Sequence, residues 1–407
     1  MKMFGVCGTA IVLLIAVGMA GTGCRSDSRS ARDALDADIA PALASWRAAP
    51  DPATGVPLPG TAVAVYSPAL HGTVTYTAGV TDLASGKPLV ANDTFRLASV
   101  TKMFTAGLVM KLDQEGKLAI SDPISKYVTW PNGESITIEM LLSHTSGIPD
   151  QLAAAPPGVD PNRDYSPREL LQFFADYGRP DFAPGTQFKY SNTGYRILGE
   201  IIETVAGISY AQAVKRLITD PLKLANTYLW GYQQGRAPVQ GYNLTCTDGG
   251  RQVNREACIG KPSTATLVTS SLDWKEGWSA GSLVSDAHDV SVYTHALIAG
   301  DFLDAAHRAR MQTPNPLATS WVLANGGSSD QPLKSFGLGL EEYRIDGVGT
   351  AWGHNGEVDG FHNTSAYFVD AGFGLTVLDN LIPAGPLESS AGLRELAPII
   401  HTSLSSG

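Results

Sequence analysis

Ser99 and Lys102, in Leu97-Ala98-Ser99-Val100-Thr101-Lys102, are spaced to share one face at the start of a helix. A serine hydroxyl becomes an effective nucleophile only when a neighbouring base takes its proton. A lysine surrounded by apolar helix can have its pKa lowered enough to be that base. Met103, Leu108, Val109, Met110 and Leu112 supply the apolar setting, in a helix expected to run to about Gly116. Its N-terminus also aims backbone N–H groups at any oxyanion formed beside Ser99. Alone, the pair is a weak signal, because Ser99 could equally be the N-cap of that helix.

Two further constellations accompany it. In Phe188-Lys189-Tyr190-Ser191-Asn192, Tyr190 and Asn192 lie two apart in an extended turn and can point into one cleft. A phenol near a lysinium could ionise below its usual pKa of about 10 and relay a proton for Ser99. Asn192 offers a donor and an acceptor to a substrate amide or to Lys102. In Trp352-Gly353-His354-Asn355-Gly356-Glu357, small residues on a strand edge admit a substrate backbone, and an N–H there can complete an oxyanion hole with that of Ser99. His354 adds a group that can be cationic or hydrogen-bonding. The structural alternatives are packing for Tyr190, helix capping for Asn192 and a plain turn for the glycines. Lys275-Glu276-Gly277 also has a Lys-x-Gly pattern, but no strand pattern follows it, so His354 is preferred.

The elements that must position these residues come from both ends of the chain. Thr61 to Tyr66 and Thr73 to Thr77 read as a hairpin; Lys334 to Tyr343, Asn363 to Val369 and Phe373 to Leu378 read as later strands. Between them, from Ser121 to about Gly300, mainly helical patterns alternate with Pro- and Gly-rich turns. Helices are expected at Thr137 to Leu142, Pro167 to Tyr177, Thr193 to Val205, Tyr210 to Ile218, Ala287 to Ala299 and Ser390 to Leu404. The fold class is therefore α+β: an antiparallel sheet from both chain ends, flanked by helices, with a helical insertion at about 121–300.

The 407 residues, 43% hydrophobic and 17% charged, provide ample core material, and a net charge of −10 argues against a nucleic-acid surface. Residues 1–23 read as an export signal: Lys2, an apolar run from Met3 to Ala20, then Gly21-Thr22-Gly23 before Cys24. Small residues before a cysteine resemble a bacterial lipobox, with Gly21 where Leu is usual; a retained membrane anchor is the alternative. Residues 24–54 form a tether and an Ala-rich helical segment, and the folded domain is assigned to 55–405. Cys246 and Cys258 remain in the folded part, and in an oxidising compartment they are expected to form a disulfide. No His or second Cys pair accompanies them, so a metal site is not expected.

Ser99-x-x-Lys102, Tyr190-x-Asn192 and His354-x-Gly356, in that order, resemble the active-site set of the penicillin-recognising serine hydrolases. Tyr-x-Asn as the second motif is similar to the branch holding class C β-lactamases, D-alanyl-D-alanine carboxypeptidases and related esterases. Leu141 to Ile148, Ala183-Pro184-Gly185, and Ser279 to Ser285 with Asp289 extend the resemblance over roughly 55–405. It implies the β-lactamase/transpeptidase-like fold. Ser99 would be acylated while Lys102 and Tyr190 share its proton. Asn192 would orient substrate and Lys102, and the N–H groups of Ser99 and Glu357 would hold the oxyanion. His354 and Gly356 would line the substrate strand, and His144 would be scaffold. No cofactor is implied.

Glu357 stands where carboxypeptidase-like members place a hydroxyl residue. If its side chain enters the cleft, it works against carboxylate-ended substrates; if it points away, it does not. With His354 in place of lysine, the reading is an exported acyl-serine hydrolase, lipid-anchored through Cys24 at the outer face of the bacterial cell membrane. It favours ester or amide substrates over β-lactams, with a D-alanyl peptidase acting on peptidoglycan stems as competitor. A non-catalytic envelope lipoprotein that binds wall peptides or a protein partner is the alternative of another class.

Overall fold

A computed structural model describes residues 30–48, 56–150, 165–177, 179–248, 251–254, 263–267, 277–325, 331–382 and 390–406. In chain order, helix α1 (Ala31–Ala48) is followed by strands β1 (Gly60–Ser67), β2 (Gly72–Asp82), β3 (Lys87–Pro88) and β4 (Phe95–Arg96). Then come helices α2 (Thr101–Gln114), α3 (Ile138–Leu142), α4 (Pro167–Tyr177), α5 (Asn192–Ala206), α6 (Tyr210–Val214) and α7 (Asp220–Leu222). Short strands β5 (Tyr228–Leu229), β6 (Tyr242–Asp248), β7 (Arg251–Asn254), β8 (Ser263–Leu267) and β9 (Leu283–Ser285) precede helices α8 (Ala287–Ile298), α9 (Ala305–Met311) and α10 (Pro316–Ala324). The chain closes with β10 (Leu333–Phe336), β11 (Glu341–Ile345), β12 (Gly349–Val358), β13 (Phe361–Phe368), β14 (Phe373–Asp379), β15 (Leu381–Ile382) and helix α11 (Ala391–Ser405).

The main sheet has the order β10-β11-β12-β13-β14-β1-β2-β3. Both ends of the chain build it, since β1 pairs antiparallel with β2 on one side and with β14 on the other, Val63 opposite Val377. Both faces are covered, and the alternation within β1 shows how. Val63 and Val65 face a core shared with α1 and α11, whereas Ala62 and Ala64 face the larger core that contains α2, α5 and α8. Leu35, Ile39 and Leu43, spaced at i and i+4, lay α1 on α11 and the sheet. The segment read from sequence as leading into the domain thus contributes to its core.

Three sequence expectations change. Lys334 to Tyr343 is two strands, β10 and β11, paired antiparallel across a bend at Gly337 to Leu340. The stretch expected to be mainly helical also holds β5 to β9, in two small sheets. Helices α9 and α10 lie in a stretch for which no helix was expected. One of the small sheets matters for the site: β9 joins β4 to β5. It ties the chain before Ser99 to the chain after Ala280, through Phe95 opposite Ser285 and a Leu97 N–H to Leu283 C=O bond of 2.8 Å.

Among the described residues, no helix is long and apolar enough to cross a membrane. Residues 1–23, Cys24, Cys258, Lys275 and Glu276 lie outside the described residues.

Candidate active site

Ser99 sits in a tight helical turn, Ala98–Val100, directly ahead of α2, and it does not cap that helix. The residue before it, Ala98, has φ of +51°, a left-handed conformation that L-residues adopt only when their surroundings enforce it. Two things enforce it here: the β4–β9 pairing upstream and the backbone of β12 overhead. A Cβ added at Gly356 would stand 2.1 Å from the Leu97 carbonyl oxygen and 3.1 Å from the Ser99 nitrogen, so only glycine lets β12 lie on the nucleophile's turn.

Lys102, on the first turn of α2, is wholly buried among apolar neighbours. Its Nζ lies 3.1 Å from Ser99 Oγ, 2.6 Å from Asn192 Oδ1 and 2.7 Å from the Ala280 carbonyl oxygen. Burial lowers its pKa to about 7; Asp150 and Glu341 oppose that shift and Arg196 assists it. Two of its three N–H positions are directed at oxygens that can only accept, so the third position decides its chemistry. Toward Ser99 it presents an N–H when charged and a lone pair when neutral.

The Tyr190 hydroxyl also interacts with Ser99. Burial raises its pKa well above the usual value, and Glu341, Tyr195 and Asp150 add to the rise, which outweighs the opposing effect of Ser99. The expectation of an easily ionised phenol is therefore corrected: desolvation of the ring outweighs the nearby lysine, and Tyr190 is a neutral O–H at neutral pH. His144 grips the chain around it. Its carbonyl accepts the Lys189 N–H at 3.0 Å, its Nδ1 accepts the Ser191 N–H at 3.1 Å, and its ring stacks on Tyr190 at 4.3 Å between centroids. His144 is thus a scaffold for the phenol.

Ser191, rather than Asn192, caps α5 by accepting the Gly194 N–H. The Asn192 side chain is left to bridge Lys102 and Asp150, its Nδ2 donating to Asp150 Oδ2 at 2.9 Å.

His354 is buried on β12, on the same strand face as Gly356 by alternation. Its Nδ1 lies 2.6 Å from the Asn355 carbonyl and 3.7 Å from Glu341 Oε1, and Nε2 has no hydrogen-bond partner among the described residues. Burial lowers its pKa, against the pull of Glu341, so at neutral pH it is an uncharged ring. The carbonyl contact assigns the proton to Nδ1 and leaves Nε2 an acceptor. Glu341 also accepts the Asn355 N–H at 2.9 Å and the Tyr343 hydroxyl. Beyond Gly353, β12 runs on without β11 beside it, because that pairing begins at Glu341. Glu357 is exposed and by alternation lies on the sheet face opposite His354 and Gly356, so its side chain does not enter the cleft from this strand.

The structure therefore gathers Ser99, Lys102, Tyr190, Asn192, His354 and Gly356 at one place. The Ala280 carbonyl joins them from the Ser279 to Ser285 motif, and Asp150 and Glu341 join them without any motif to mark them. Cys246 lies apart in β6.

The family model described as Beta-lactamase matches residues 51–392. The chain is 33% identical over 198 residues to a beta-lactamase of Escherichia coli (strain K12), covering 44% of this chain and 49% of that protein. It is 32% identical over 255 residues to the D-alanyl-D-alanine-carboxypeptidase/endopeptidase AmpH of Escherichia coli (strain K12), covering 60% of this chain and 59% of that protein. Those aligned regions span about half the length of the curated relatives. Among solved structures, a D-stereospecific amidohydrolase from Streptomyces sp. superposes with a TM-score of 0.64 at 26% identity, covering 90% of this chain and 98% of that one.

Proposed function

Because the chain belongs to the beta-lactamase family, we propose that it is an exported serine hydrolase that cleaves ester or amide substrates through an acyl-Ser99 intermediate. The observation that carries this reading is the buried Lys102 nitrogen 3.1 Å from Ser99 Oγ, with its pKa near 7. The neutral amine accepts the Ser99 proton as Oγ attacks the substrate carbonyl. Backbone N–H groups of Ser99 and Glu357 receive the oxyanion at the join of β12 and the nucleophile's turn. Lys102 and the Tyr190 hydroxyl pass the proton on to the leaving group. Water then attacks the ester carbonyl with the same groups acting in reverse.

Ester and amide substrates rank ahead of β-lactams because His354 presents an uncharged ring where a cation would otherwise meet a carboxylate. The similarity to AmpH and the outward placement of Glu357 favour a second reading, a D-alanyl peptidase. Export through residues 1–23, lipidation at Cys24 and a Cys246–Cys258 disulfide belong to the same proposal. Intact-mass detection of a covalent adduct tests the central claim, using a short-chain aryl ester, a D-alanyl-D-alanine peptide, a chromogenic cephalosporin and a fluorophosphonate. An adduct on Ser99 that vanishes in Ser99→Ala is expected. Its absence with every probe would favour the non-catalytic binding reading.

A further inference from the structure

We propose that Asp150 is a positioning residue of this reaction: its carboxylate locks the Asn192 amide with the carbonyl oxygen toward Lys102, and so keeps the lysine lone pair available to Ser99. The inference rests on the hydrolase reading above.

Asp150 follows the Ser143 to Ile148 loop and is half-buried beside the start of α5. An ionised carboxylate accepts hydrogen bonds and cannot donate, so the group facing Asp150 Oδ2 at 2.9 Å must be the Asn192 N–H₂. The carbonyl oxygen of that amide is then held on Lys102 Nζ at 2.6 Å. This orientation matters most when Lys102 is neutral. A neutral amine has two N–H groups, spent on Asn192 Oδ1 and the Ala280 carbonyl, and one lone pair, aimed at Ser99 Oγ. If the amide could turn over, its N–H would point at the nitrogen and occupy that lone pair, leaving no base for the serine. Capping of α5 by Ser191 leaves this polar contact with Asp150 as a hold on the side chain.

Asp150 acts on the charge of the lysine as well. The groups that face Lys102 are Asp150 and Glu341, which favour the ammonium, and Arg196, which opposes it. Around them stand the uncharged imidazoles of His144 and His354, and the rings of Tyr190 and Tyr195 at 4.8 and 5.5 Å from Nζ. Removing the Asp150 charge shifts this balance toward the neutral amine.

Asp150→Asn replaces the acceptor-only partner by one that can meet either end of the Asn192 amide, and deletes the charge at nearly constant volume. On a short-chain aryl ester, kcat is expected to fall about tenfold or more with KM within about twofold. The acid limb of kcat/KM is expected to move to lower pH by about half a unit or more. A residue that only supports the loop would lower activity with the acid limb in place. Asp150→Glu, which keeps the charge, holds the limb near its wild-type position, and Asp150→Ser is read in the same way should Asp150→Asn fail to fold. An unmoved limb with wild-type kcat in the neutral variants overturns the proposal. Wild-type protein that forms no Ser99 adduct with a fluorophosphonate overturns the hydrolase reading instead, so the two failures are told apart.

Discussion

Lys102 sets the pH at which this site can work. Burial favours its neutral form and lowers its pKa to about 7, so the fraction of competent base falls as pH drops through that value. The kcat/KM of a short-chain aryl ester is expected to fall about tenfold per pH unit below 7 and to level off above it. A rate profile that is flat between about pH 5 and pH 8 contradicts this assignment. His354 sets the preference for charge. Since its ring is uncharged at neutral pH, His354→Lys should raise turnover of a D-alanyl-D-alanine peptide, relative to a neutral aryl ester, by about tenfold, the effect of roughly 1.4 kcal/mol of ion pairing. The ratio of the two kcat/KM values measures it. Ser99, Lys102, Tyr190 and Asn192 were legible in the sequence because they lie in short local motifs. Asp150 and Glu341 were not, because a single carboxylate has no spacing to betray it. The behaviour of the Tyr190 phenol was misread for a related reason: proximity to a cation can be guessed from a motif, whereas complete desolvation cannot.

At the scale of elements, the catalytic geometry depends on β12 lying against the turn that holds Ser99. In Gly356→Ala the new methyl would press on the Leu97 carbonyl at 2.1 Å. The strand must then lift, and ester turnover should fall about a hundredfold or more, with about 1–3 kcal/mol of stability lost. Ester kinetics and urea unfolding on the same preparation check both parts, and full activity in this variant would contradict the stated role of the glycine. Long amphipathic elements such as α5 and α11 were legible because their apolar residues recur with the helical period. The hairpin β10–β11 was not, because Gly337-Leu338-Gly339-Leu340 keeps the apolar alternation running through the bend. Strands of two to five residues, such as β5, β8 and β9, were missed because they exist only through their partners, whereas the short β-like run Thr94 to Leu97 was legible and holds β4.

For the whole molecule, the sheet separates two bodies of side chains. The site occupies one of them, while α1 and α11 cover the other. Leu35→Ala or Ile39→Ala in α1 should therefore lower stability by about 2–5 kcal/mol each and leave the acid limb of the rate profile unmoved. Thermal unfolding beside the pH profile tests that separation, and a shifted limb would refute it. The antiparallel sheet from both ends was legible because strand patterns cluster there and helical ones between. The coverage of both faces was not, because nothing local says that the Ala-rich helical segment before the first strand packs on the sheet. The pairing of β1 with β14 sets Thr61 opposite Asp379, partners 318 positions apart. On a ribosome, the first strand thus emerges long before its neighbour has been translated. Vectorial synthesis can close the β1–β2 hairpin early, but the other edge of β1 stays open, shielded or transiently mispaired, until the last hairpin is made.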